Sequence, residues 1–117
     1  MKLTESELKI MNIIWDKGSI SSGKLIKECL SRFDWKKSTT YTFLKRLEER
    51  GAVVNQDTIV TALVSKETIQ EEESVKMINN NFEGSLPMFI ASFLKTHKLS
   101  KKDYEEIQKI IKNNKEV

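Results

Sequence analysis

Residues 38–51, Ser-Thr-Thr-Tyr-Thr-Phe-Leu-Lys-Arg-Leu-Glu-Glu-Arg-Gly, set hydroxyl and cationic side chains at a spacing suited to contact with a nucleic acid. In a helix turning about 100° per residue, Thr40, Leu44 and Leu47 share one side, flanked by Tyr41 and Phe43. Ser38, Thr39, Thr42, Lys45, Arg46 and Glu49 share the other. A solvated helix face usually mixes Glu and Lys at i,i+4, whereas this one opens with small hydroxyls and then turns cationic. Hydroxyl and guanidinium groups are what meets phosphates and base edges in a DNA groove. An amphipathic surface helix has the same outline, so the surroundings must decide.

Charge supports the first reading. The net +3 sits wholly in residues 1–70, with 12 Lys+Arg against 9 Asp+Glu, while residues 71–117 carry 8 of each. Between Lys24 and Arg50 there are 8 basic and 4 acidic residues, around the helix just described. A polyanionic partner fits that bias.

Catalytic chemistry finds little to use. The lone His97 has neither a cysteine nor a second histidine beside it, and it reads as a solvated side chain in a polar turn. Acids such as Asp103 form no pair of defined separation. Ser21, Ser22 and Ser38 read as helix caps, since no Gly-x-Ser-x-Gly elbow and no glycine-rich phosphate loop occurs. The single Cys29, at helical spacing between Leu25 and Leu30, reads as a small core residue. Neither a metal, nor a cofactor, nor an enzymatic activity is expected. At 117 residues, 38% hydrophobic and 32% charged, the composition is that of a globular domain. No apolar run of about 18 residues and no signal-peptide layout is present, so membrane insertion is not expected and the cytoplasm is the expected location.

The elements that must position these groups follow from periodicity and caps. Thr4-Glu5-Ser6-Glu7 is a capping box, and Leu8, Met11, Ile14 and Trp15 continue a first helix to a glycine stop at Gly18. Ser19-Ile20 has room only for an edge strand. Ser21 caps a second helix with Leu25, Ile26, Cys29, Leu30 and Phe33 inward, and Trp15 and Trp35 anchor the core and the turn. The helix from Ser38 to Arg50 ends at Gly51, after which 52–54 and 59–64 are β-rich around a polar Asn55-Gln56-Asp57 turn. Three helices followed by a hairpin is the order of a winged helix-turn-helix, in which the third helix enters the major groove. The expected fold is therefore mostly α, with a winged-helix domain at 1–65 and a helical region at 66–117. That region reads as a thinly apolar helix to Asn81, a nearly all-apolar helix from Pro87 to about Thr96, and a last helix opened by Ser100. Such short helices do not enclose Phe89, Phe93 and Leu94 unaided, and a second copy of the chain is the simplest cover. Phe89, Phe93, Leu94, Ile107 and Ile111 are the expected dimerisation residues.

The residues themselves resemble the penicillinase-repressor (BlaI/MecI) family. The likeness covers nearly the whole chain and rests on three stretches. They are Leu3-Thr4-x-x-Glu7 with Met11-x-x-x-Trp15; Trp35-x-x-Ser38-Thr39-x-x-Thr42-x-Leu44-x-Arg46-Leu47-x-x-x-Gly51; and an apolar helix followed by Leu99-Ser100 and Tyr104-Glu105-Glu106-Ile107. The resemblance implies a homodimeric transcriptional repressor that binds an inverted-repeat operator, controls resistance genes, and is inactivated when a membrane sensor's protease activity leads to cutting of the dimerisation region. It places Thr39 and Thr42 near bases or phosphates and Arg46 on the backbone. With the helical face above, the expected DNA-contacting residues are Ser38, Thr39, Tyr41, Thr42, Lys45 and Arg46. Ser38 and Tyr41 stand where such repressors often have basic residues, so a different base sequence is expected to be read. The wing is short and lacks the usual aromatic and basic residues. Ser92-Phe93 occupies the position of the Asn-Phe bond cut in β-lactam-responsive members, with serine in place of asparagine. The cysteine-rich tail of the copper-responsive branch is absent from residues 112–117. Two other readings remain open: a winged-helix adaptor or antirepressor without specific DNA binding, and a repressor answering a signal other than a β-lactam.

Overall fold

The computed structural model describes residues 1–116. The first unit, Met1–Ser74, opens with α1 (Glu5–Lys17), β1 (Ser19–Ser21), α2 (Ser22–Phe33) and α3 (Lys37–Glu49). A hairpin of β2 (Val53–Gln56) and β3 (Ile59–Ala62) follows, and then the start of α4 (Lys66–Asn81). This is a winged helix, and the whole chain is mostly α.

Local chemistry sets each boundary. Thr4 accepts from Glu7 N–H at 3.1 Å and Glu7 returns a bond to Thr4 N–H at 3.0 Å, completing the capping box of α1. Gly18, at φ 79°, ends that helix. Ser21 caps α2 through Lys24 N–H. At the end of α3, Gly51 N–H reaches Glu48 C=O and Ala52 N–H reaches Leu47 C=O, with Gly51 at φ 76°. That 5→2 and 6→1 pair is a Schellman stop, and it requires the left-handed backbone that glycine adopts without penalty.

Three serines were expected as caps, and only Ser21 is one. Ser22 is the first residue of α2 and is buried, and Ser38 lies inside α3, whose cap position is Lys36 without a side-chain bond. Ser38 is thereby freed to face outward. Leu30, expected on the buried side of α2, is 55% exposed. The core stripe of α2 is narrower than its apolar pattern: Leu25 and Cys29 fill it and Ile26 is half-buried.

β1 is an edge strand, as its length requires, in a three-stranded antiparallel sheet of order β1-β3-β2. Ile20 sits opposite Val60, and Val53 opposite Ala62. Ile10, Ile13 and Ile14 of α1, Leu25 and Cys29 of α2, Leu44 and Leu47 of α3, and Val53 and Val60 of the sheet close one core. Ile69 from the first turns of α4 joins it at 4% exposure. Two tryptophans tie the periphery down. Trp15 donates to Val64 C=O at 2.9 Å, and Trp35 lies between Phe33 and Phe43 at centroid distances of 5.0 and 5.2 Å.

The second unit, Val75–Val117 by its bounds, holds the rest of α4, then α5 (Leu86–Leu94) and α6 (Lys101–Asn113). Ser85 caps α5 with Pro87 in its first turn, and Ser100 caps α6. α5 ends at Leu94, two residues short of the expected Thr96. No residue of α5 or α6 is buried. Phe82 meets Phe89 edge to face at 5.3 Å, Phe89 lies tilted to Phe93 at 6.3 Å, and His97 stacks on Phe93 at 4.7 Å. His97 is exposed, as expected of a solvated side chain, with its ring on Phe93 and its Nδ1 at 2.8 Å from Thr96 Oγ1.

Candidate nucleic-acid interface

The outer face of α3 is assembled as its sequence implies. Thr40, Leu44 and Leu47 are buried against the core, and this burial fixes the helix in rotation. Ser38, Tyr41, Thr42, Lys45 and Arg46 are exposed together, and Thr39 is half-buried beside them. The first turn holds no acid, so the N-terminal end of the dipole is left unopposed.

Several side chains on this face are already constrained. Thr42 donates its hydroxyl hydrogen to Ser38 C=O at 2.9 Å, leaving the oxygen able only to accept. Arg46 lies 5.5 Å from the Phe43 ring and Lys37 5.8 Å from the Tyr41 ring, which steadies both cations. Neither Arg46 nor Lys45 takes part in an ion pair among the described residues.

The far end of α3 is clamped by a contact invisible in local sequence. Arg50, the residue that ends the helix, places Nη1 at 2.7 and 2.8 Å from the two carboxylate oxygens of Glu7 and turns Nη2 to Lys2 C=O. Glu7 is 2% exposed. Burial alone raises its pKa, but bonds from Thr4 N–H, the Arg50 guanidinium and the Thr4 hydroxyl, with the Arg50 charge, bring it below the ordinary carboxylate value. Glu7 is identifiable from sequence only as half of a capping box. Its second role depends on a residue 43 positions away. Burial raises the pKa of Cys29, as expected for a core thiol.

Among the described residues there is no group of His, Cys, Asp and Glu able to hold a metal, and no helix is long and apolar enough to cross a membrane. The five expected dimerisation residues all belong to the second unit. Phe93, Leu94, Ile107 and Ile111 are exposed at 49, 41, 38 and 55%, and Phe89 is half-buried. Ser92 and Phe93 lie in the last turn of α5.

A helix with a hydroxyl-and-cation face, backed by a second helix and followed by a β-hairpin, defines a winged-helix protein. Consistent with that fold, the chain superposes on the crystal structure of the reduced form of MarR from E. coli with a TM-score of 0.53 at 18% identity, over 99% of this chain and 77% of that one. The penicillinase repressor family model matches residues 3–113, and the chain belongs to that family. Its relatives include the penicillinase repressor of Bacillus licheniformis, 26% identical over 97% of this chain and 92% of that protein. The methicillin resistance regulatory protein MecI of Staphylococcus aureus (strain N315) is 27% identical over 94% and 93%. Family and fold place the chain among transcription regulators rather than enzymes.

Proposed function

We propose that the chain is a homodimeric transcriptional repressor that lays α3 of each protomer into the major groove of an inverted-repeat operator. The observation that carries this is the outward set of Ser38, Thr39, Tyr41, Thr42, Lys45 and Arg46 on a helix whose opposite side is locked into the core. Lys45 and Arg46 are the backbone contacts. Thr42, able only to accept, is the specificity residue: it prefers a base-edge donor, the N6 amine of adenine or the N4 amine of cytosine. Ser38 and Tyr41 replace charge with hydroxyl chemistry, which shifts readout toward hydrogen bonds.

The second unit is the dimerisation region in this reading. Apolar side chains along α5 and α6 are open in one chain, and a partner's matching helices are the cover that removes them from water. Release follows by cutting at Ser92-Phe93. Ser92 C=O accepts from Lys95 N–H at 3.4 Å, and Phe93 C=O accepts from Thr96 N–H at 3.4 Å and His97 N–H at 3.2 Å, so the bond becomes open to a protease when this last turn unwinds. A cut there strips Phe93, Leu94 and α6 from the shared surface. The inducing signal is a β-lactam or a similar cue sensed at the membrane.

The test of release is intact mass in cells exposed to a β-lactam. A fragment ending at Ser92 supports the mechanism, whereas derepression with a full-length chain means that a ligand or partner frees the DNA instead.

A further inference from the structure

Wing residues 53–62 contain no lysine or arginine, and their one charge is Asp57 at the turn. The surface beside the turn is different. Ser22 N–H donates to Thr58 C=O at 2.8 Å, which holds the start of α2 against the turn. Beside that contact lies a crevice of about 450 Å³, walled by Ile20 and Ile59 and lined by Lys17, Lys24 and Lys27. The one acid at its edge, Glu28, is 2.8 Å from Arg32, so its charge is already matched. None of the three lysines is in an ion pair among the described residues.

The positions of these charges argue for an anion from outside. Lys17 lies in the last turn of α1, where the helix dipole favours a cation. Lys24 does not have that excuse. It stands in the first turn of α2, at the positive end of the dipole, and that turn has no acid, whereas α1, α4 and α6 each begin with one. A Cβ added to Gly23 meets nothing within 4 Å, so internal packing does not call for a glycine there, and the first turn is open to close approach. The lining contains no aromatic ring to stack a base and no arginine to grip a phosphate bidentately. Three flexible point charges suit a phosphodiester read for charge alone. The first helix of a helix-turn-helix crosses the DNA backbone, and α2 is that helix here.

We propose that Lys17, Lys24 and Lys27 form a second phosphate-binding surface that grips the DNA backbone beside the wing, supplying the contacts that a cation-free wing lacks. This rests on the DNA-binding reading above. The experiment is fluorescence anisotropy with a promoter fragment and with random DNA of equal length, from about 50 to 200 mM salt. It compares the full-length wild type with a variant carrying Lys17→Gln, Lys24→Gln and Lys27→Gln. Each lost phosphate contact lowers the log–log salt slope by about 0.9, so the variant should lose roughly two to three units. Promoter and random DNA should weaken by the same factor, on the order of tenfold or more, with thermal stability unchanged. A variant with the wild-type slope overturns this proposal and leaves the repressor reading standing. Wild-type protein that binds no DNA defeats both. Inorganic phosphate is titrated in parallel against the backbone amide signals of Gly23 and Lys24. Saturable shifts in the wild type, combined with an unchanged DNA slope in the variant, would make the crevice a free-anion site and overturn the assignment to DNA.

Discussion

In the proposed complex, Arg46 and Thr42 separate the two kinds of contact that a regulator needs. Arg46→Ala should weaken binding to every sequence and lower the salt slope by about one unit, the signature of one lost phosphate contact. Thr42→Val keeps shape and removes the acceptor, so it should change which operator bases are preferred while leaving the salt slope alone; selection from a randomised operator pool measures this. Glu7 acts at a distance, through Arg50. Because its folded pKa lies below the unfolded value of about 4.3, its contribution is present at neutral pH and is lost as pH falls through the folded value. Glu7→Gln should cost about 1–3 kcal/mol at pH 7, less than for a fully buried pair because the Arg50 side chain is 37% exposed and partly screened. Chemical denaturation from pH 7 to 3 should show the variant and wild type converging in stability. A gap that does not narrow as pH falls would remove the ion pair as the cause.

At the scale of elements, the wing stores strain that a single substitution relieves. Asp57 and Thr58 turn the hairpin at φ 51° and 66°, and a β-branched residue is poorly suited to that region. Thr58→Gly should therefore stabilise the first unit by about 1 kcal/mol and raise its Tm by a few degrees, since the Ser22 bond uses the Thr58 carbonyl and survives. Calorimetry showing a lower Tm would mean that the side chain packs usefully. The two faces of α3 and its Gly51 stop were legible in the sequence because each depends on residues within a turn or two. Long-range contacts were not: the Glu7–Arg50 clamp, the pairing of β1 with β3 and the Trp15–Val64 bond each depend on distant segments meeting. Leu30 was misplaced for a related reason, since periodicity gives an apolar stripe but not the width of the neighbour that covers it. Lys24 and Lys27 were counted in the local basic excess and Lys17 in that of residues 1–70, yet only the fold brings Ile59 of the wing beside them.

In the proposed dimer, two weak half-site grips combine into one strong one. There, Phe93→Ala removes a side chain that the partner would bury, and truncating a buried Phe costs about 3–5 kcal/mol. The variant should sediment as a monomer at micromolar concentration and lose the operator while residues 1–64 stay folded. The central claim is that two chains together recognise an inverted repeat, and anisotropy against the protein's own promoter fragment and random DNA of the same length tests it most directly. Saturation is expected at two chains per repeat, with affinity for the promoter about a thousandfold or more above that for random DNA at physiological salt. Equal affinity for the two DNAs would contradict it, and would leave a winged helix whose outer face serves protein contacts instead.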